Sequence, residues 1–259
     1  MITIKNETIT QIPTLHVVKE EIQDQQELPT VFFLHGFTSA KEHNLHVAYL
    51  LAERGFRVFL PDALHHGERE KNISAEQRNL SFWEIVLTSI KELNMMKKTL
   101  EQQSVINGEN IGVIGTSMGA ITMFGALTQY RWIETAVSFM GTAYYQRFAH
   151  GLLSTVEQRG LTIEDNLKEE MFKQIIPFDL STQLHKINGR PLLIWHGKED
   201  EVVPYPLSEK LYEELAANYQ DAPEHLQFLA EEKTGHKVSR RAVLHSVDWF
   251  DRHLRKVTS

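Results

Sequence analysis

Ser117 sits in Gly115-Thr116-Ser117-Met118-Gly119, a G-x-S-x-G pattern entered directly from an apolar run within residues 110–120, NIGVIGTSMGA. Such a pattern places a serine on a sharp strand-to-helix turn, where glycines relieve the crowding and Oγ projects above the sheet. A serine hydroxyl becomes a useful nucleophile only when a base takes its proton and a third group orients that base. The pentapeptide alone also fits a plain helix N-cap. The rest of the chain therefore has to supply a base, an acid and a site for an oxyanion.

Of the thirteen histidines, His236 in Thr234-Gly235-His236 falls in a loop between the last expected strand and the last helix. His225 opens a strand, His245 and His253 belong to a helix, and His196 is held in a His-Gly turn. Glu199, Asp200 and Glu201 follow the apolar run PLLIW in a turn and are the acids in position. An oxyanion needs two preorganised N–H donors, each contributing about 2.7–4 kcal/mol in the transition state. The amide of Met118, next after the nucleophile, is one, and the amide of Phe37, in the loop after TVFFL, is the other.

These residues require a sheet whose carboxyl edge collects several loops. Ile2 and Ile4, then Leu15 and Val17 across Pro13, predict two antiparallel edge strands. TVFFL (30–34), RVFLP (57–61), residues 111–114, 135–140, PLLIW (191–195) and HLQFLA (225–230) are short apolar strands. Helices are expected over 41–54, from a capping box at Ser81-Phe82-Trp83-Glu84 through Leu100, after Ser117, over 208–218 and from Ser239. Gly125 is expected to let the helix after Ser117 pack closely on the sheet. Residues 142–180 are expected to form a small helical insertion, followed by one connecting helix, within a single domain spanning 1–259. Alternating strands and helices give an α/β fold with a mainly parallel sheet of about eight strands, covered on both faces, whose active site lies at the carboxyl ends of the strands.

Composition narrows the function further. Lysine and arginine total 27 against 34 acids, a formal net charge of −7, which argues against nucleic acid as a partner. There is no cysteine, so disulfides, thiolate metal sites and a cysteine nucleophile are excluded. The opening MITIKNETIT lacks the basic and apolar regions of a signal peptide, and no apolar run approaches about 18 residues. A cytoplasmic protein without membrane attachment is expected. His65 and His66 with His43 and His46 suggest a metal only superficially, because no H-E-x-x-H or similar spacing is present, and no cofactor is expected.

Five motifs, HGF (35–37), RVFLPDALHHGER (57–69), GTSMG (115–119), HGKEDEVVP (196–204) and TGH (234–236), occur in the order seen in the α/β-hydrolase family. The chain resembles that family over nearly its whole length, and more narrowly its small bacterial esterases related to the prolyl oligopeptidase and dienelactone hydrolase groups. It departs in reading Leu64-His65-His66-Gly67 without the first glycine of the family's loop, and in having Ser117 where dienelactone hydrolases have cysteine. The resemblance implies the α/β-hydrolase fold, assigns the acid to Asp200, and implies a Ser117–His236–Asp200 triad hydrolysing a small-molecule carboxylic ester. It also implies that the insertion resembles a lid. A substrate pocket is expected from His35, His66, Tyr144, Tyr145 and Phe148, against the alternative that these rings serve packing. A peptidase, amidase or thioesterase on the same triad, and a non-catalytic binding homologue, are the rival expectations.

Overall fold

The computed structural model describes residues 1–71, 73–158, 160 and 163–255. Among them eight strands form one sheet: β1 (Ile2–Ile9), β2 (Ile12–Lys19), β3 (Thr30–Leu34), β4 (Arg57–Pro61), β5 (Ile111–Thr116), β6 (Thr135–Phe139), β7 (Leu192–Gly197) and β8 (Leu226–Glu231). Their order is β1-β2-β4-β3-β5-β6-β7-β8. The hairpin β1–β2 runs antiparallel and joins β4 antiparallel, while β4, β3 and β5 to β8 are mutually parallel. The short apolar runs are the central strands: every residue of β3, β4, β6 and β7 is buried. Strands with neighbours on both edges and helices on both faces have no solvent side to alternate toward. β1, at the sheet edge, leaves Lys5 and Asn6 in water.

The helices are α1 (Leu45–Glu53), α2 (Ala75–Leu80), α3 (Phe82–Gln102), α4 (Met118–Gln129), α5 (Tyr145–Gln158), α6 (Asp165–Ile175), α7 (Tyr205–Leu215) and α8 (Arg240–His253). Successive strand residues point to opposite faces, so β3 divides its side chains between two cores. Phe32 joins the core under α3, α4 and α7, and Val31 and Phe33 join the one under α1 and α8. α4 is buried at every residue from Met118 to Thr128, as a helix wedged between the sheet and α3 must be. Its Gly125 serves a different neighbour from the one expected. A Cβ there would stand 2.2 Å from the Tyr145 hydroxyl and 2.5 Å from Ile90 Cδ1, so the glycine admits α5 and α3, not the sheet.

Several expected boundaries move for identifiable reasons. Ser81 makes no capping bond; the capping box forms one helix upstream, where Ser74 Oγ accepts from the Gln77 amide and the Gln77 side chain accepts from the Ser74 amide. The helix expected from 41 begins as a 3₁₀ turn, Lys41–Asn44, that directs Lys41 into the interior. Among the described residues no further α-helix connects α6 to β7. Three 3₁₀ turns between Ile176 and Ile187 take its place, where Pro177 interrupts the helical pattern and the Asp179 carboxylate accepts from the Ser181 amide. Residues 142–180 carry α5 and α6, and positions 159, 161 and 162 of that span lie outside the described residues. Among the described residues no helix is long and apolar enough to cross a membrane.

Candidate active site

β5 ends in the elbow. Ser117 takes φ 52° and ψ −114°, a left-handed region that non-glycine residues enter at a cost of order 1–3 kcal/mol. The conformation is held from both sides: the Ser117 amide donates to Phe139 O at 2.8 Å on β6, and Ser117 O accepts from Ile121 at 2.9 Å in α4. Gly119 makes the packing tolerable, since a Cβ there would lie 2.0 Å from Leu34 O at the end of β3. Although Ser117 occupies the N-cap position of α4, its side chain caps nothing. Oγ instead stands 2.9 Å from His236 Nε2.

His236, in the loop between β8 and α8, has Nδ1 2.7 Å from Asp200 Oδ2. An ionised carboxylate only accepts, so Nδ1 carries the proton and Nε2 offers its lone pair to the Ser117 hydroxyl. Asp200 lies in the turn after β7 with its side chain fully buried. Its Oδ1 accepts from the amides of Val202 at 2.9 Å and Val203 at 3.0 Å. Burial alone would raise its carboxyl, but hydrogen bonds from His196, His236 and the Val203 amide outweigh that and hold it well below the usual carboxylate range. Among Glu199, Asp200 and Glu201, Asp200 is thus the acid that meets His236.

His196 was not singled out by sequence for this cluster. Wholly buried, its Nε2 stands 3.1 Å from Asp200 Oδ2 and 2.9 Å from Val203 O, and both are acceptors, so Nε2 donates. Nδ1 meets Ser208 Oγ at 2.7 Å, and Ser208 reaches Gly141 O at 3.1 Å. Asp200 Oδ2 therefore serves two histidines, one fixed in the interior and one facing Ser117. The signal was present as a histidine four residues before Asp200 in HGKED.

The loop after β3, which carries Phe37, is stitched to the loop after β4 by two buried histidines. His35 donates from Nδ1 to Gly36 O at 2.8 Å and accepts at Nε2 from the Ala63 amide at 3.0 Å. His66 donates from Nδ1 to Leu64 O at 2.8 Å and accepts at Nε2 from the Thr38 amide at 3.0 Å. Both rings must be neutral to accept at Nε2. Burial pushes His35 down to about 4 and lowers His66 as well. Below them Lys41 and Asp62, with fully buried side chains, pair at 3.0 Å, and Asp62 also accepts from the Lys41 and Glu68 amides. Gly36 packs on the elbow: a Cβ on it would stand 3.6 Å from Ser117 Cβ. Among the described residues neither the Phe37 nor the Met118 amide donates to a protein acceptor.

A cavity of about 630 Å³ opens beside Ser117, with Phe37, Phe82, Ile121, Phe148 and Val203 among its walls. Of the five residues expected to line it, Phe148 does so. His35 and His66 are occupied in the loop clasp. Tyr145 is buried against Trp83 with its hydroxyl on Ile121 O, and Tyr144 is buried with its hydroxyl on Glu214. Both tyrosines fill the interior because their hydroxyls find acceptors there. Among the described residues no group of three His, Asp or Glu side chains is arranged to hold a metal, and His43 is engaged with Ser39.

Residues 42–257 match the prolyl oligopeptidase family. The chain is 46% identical over 256 residues to a Bacillus subtilis protein named "Putative esterase YitV", covering 98% of this chain and all of that one. It is 30% identical over 258 residues to Esterase YjfP of Escherichia coli, again covering 98% of this chain and all of the relative. In three dimensions it is similar to TT1662 from Thermus thermophilus, with a TM-score of 0.79 at 22% identity and 99% of each chain covered.

Proposed function

The chain belongs to the prolyl oligopeptidase family of the α/β-hydrolase fold, and on that premise we propose that it is a serine hydrolase cleaving carboxylic esters through Ser117, His236 and Asp200. Ser117 Oγ attacks the carbonyl carbon while its proton passes to His236 Nε2, and the new oxyanion is held by the amides of Phe37 and Met118. His236 then gives that proton to the departing alcohol as the C–O bond breaks, leaving an acyl group on Ser117. Water attacks the acyl-enzyme with His236 as base, and the acid is released as Oγ recovers its proton. Asp200 remains ionised throughout and stabilises the imidazolium formed at each proton transfer. Protons and electron pairs balance among the three side chains, ester and water, so this chemistry calls on no cofactor.

The observation that carries this reading is the continuous relay, 2.9 Å from Ser117 Oγ to His236 Nε2 and 2.7 Å from His236 Nδ1 to Asp200 Oδ2. The esterase names of the two curated relatives support an ester over other acyl compounds. The partner is then a small-molecule ester, and the segment carrying α5 and α6 is its cap. Ser117→Ala, purified and folded, is expected to lose at least about 10³-fold in kcat on a p-nitrophenyl ester. A wild-type rate in that variant would refute the mechanism. Amide hydrolysis on the same triad is the second reading, favoured by the family's peptidase name. Matched ester and amide substrates with one acyl group separate the two.

A further inference from the structure

α5 presents Phe148, Leu152, Thr155 and Val156 to the cavity, at positions i, i+4, i+7 and i+8. That is the spacing of an apolar helical stripe, which in a globular protein normally faces other protein. Here Phe148 packs on Phe82 and Trp83, and from Leu152 onward the stripe borders the open cavity. Across the cavity α2 presents Glu76, Asn79 and Leu80, again one face of a helix. Leu80 and Val202 are both 59% exposed and both belong to the cavity wall, so the apolar surface continues from beside Ser117 out to the mouth. An exposed apolar surface that converges on a nucleophile is matched to something that covers it. Among the described lining residues the only charged side chain is Glu76, and no cation is present to receive an acidic group.

The geometry points to an ester whose acyl arm is a neutral aliphatic chain of medium length, lying between α2 and α5 with its far end toward Leu152 and Val156. This rests on the serine hydrolase reading above. The acyl arm is chosen over the alcohol because it stays bonded to Ser117 through both halves of the cycle and needs a binding surface continuous with Oγ. At about 30 Å³ for each water-sized group, a cavity of about 630 Å³ holds on the order of twenty non-hydrogen atoms. That is enough for a hexanoyl or octanoyl ester with its leaving group. A carboxylate at the tail would lose its hydration with no cation among the described lining residues to replace it.

The test is kcat/KM of the wild-type protein for p-nitrophenyl acetate, butyrate, hexanoate and octanoate, with mono-p-nitrophenyl adipate as the charged match to hexanoate. A buried methylene contributes about 0.8 kcal/mol, or about fourfold, so kcat/KM should rise about two- to fourfold per added methylene up to hexanoate or octanoate. Hexanoate should exceed the adipate half-ester by more than about tenfold. Leu152→Glu, on the half-exposed face of α5, should lower the octanoate-to-acetate ratio at least about tenfold, with fluorophosphonate labelling of Ser117 reporting that the variant is folded. A flat or falling series with acetate still turned over, or parity between hexanoate and the adipate half-ester, overturns the aliphatic-arm inference and leaves the serine hydrolase standing. Failure of every ester together with failure of Ser117 to take the fluorophosphonate overturns both.

Discussion

Asp200→Asn keeps the shape of the side chain and leaves it only one end able to accept hydrogen bonds. The Val202 and Val203 amides point at Oδ1 from 2.9 and 3.0 Å, so the asparagine oxygen must occupy that end. The reverse orientation would leave two valine N–H groups unsatisfied, at about 1–3 kcal/mol each. The NH₂ therefore takes the Oδ2 position, 2.7 Å from His236 Nδ1. His196 can turn its proton wholly to Val203 O at 2.9 Å, but His236 has no such alternative and accepts from the amide. Its own proton then moves to Nε2, where it confronts the Ser117 hydroxyl at 2.9 Å with no lone pair to offer. In an unrelated fold the corresponding exchange lowers kcat about 10⁴-fold through the wrong tautomer, equivalent to about 5.4 kcal/mol at 1.36 kcal/mol per decade. A fall of about 10³- to 10⁴-fold is expected here, with KM changed little. The assay is steady-state hydrolysis of p-nitrophenyl hexanoate, with circular dichroism to establish folding. A folded variant within tenfold of wild-type kcat would refute the tautomer argument.

Acid should weaken the fold before it removes charge from Asp200. His35 is held down to about 4 by burial against an ordinary 6.5, so the unfolded chain binds a proton that the native state excludes. The stability from its neutral form is complete above about pH 6.5 and is lost as pH falls toward 4, on the order of 3 kcal/mol in all. His16, also buried and lowered to about 4, acts in the same direction. Urea midpoints at pH 7.5 and 4.5 measure this, and equal midpoints would contradict it. Lys41→Met should cost about 3–5 kcal/mol, because Asp62, fully buried and 3.0 Å from the ammonium, would lose its counter-charge. A change below about 1 kcal/mol in chemical denaturation would show that Asp62 is satisfied by its amide donors alone.

The places of Ser117 and His236 were legible because the turn chemistry that positions them is local. G-x-S-x-G names its own backbone, and a histidine between a final strand and a final helix can only sit at the carboxyl edge. What escaped were choices made by partners distant in sequence. Tyr145 and Phe148 are three residues apart on one helix, and periodicity does not say which of them meets Gly125 and which meets a cavity. The box expected at Ser81 did not form because Ser81 closes α2, its amide already donating to Gln77 O at 3.0 Å, and the box formed one helix upstream at Ser74. His196 lay inside a recognised motif, yet its contact with Asp200 depends on the chain turning back at Val203. The sheet was legible down to its antiparallel edge because continuous apolar runs admit few other placements.

β6 contributes none of Ser117, Asp200 and His236, but it stands between the strand that leads to Ser117 and the strand that leads to Asp200. It is a spacer. Adjacent strands lie about 4.8 Å apart, so β5 and β7 are separated by roughly 10 Å, and His236 reaches back from beyond β8 to close the gap. A slip of one residue in the pairing of β6 with either neighbour would shift the two halves of the relay by about 3.3 Å, more than the whole 2.9 Å from Oγ to Nε2. On the proposed mechanism, turnover at this site is therefore a gauge of strand register: it reports whether β5, β6, β7 and β8 have assembled in step, to a tolerance finer than one residue.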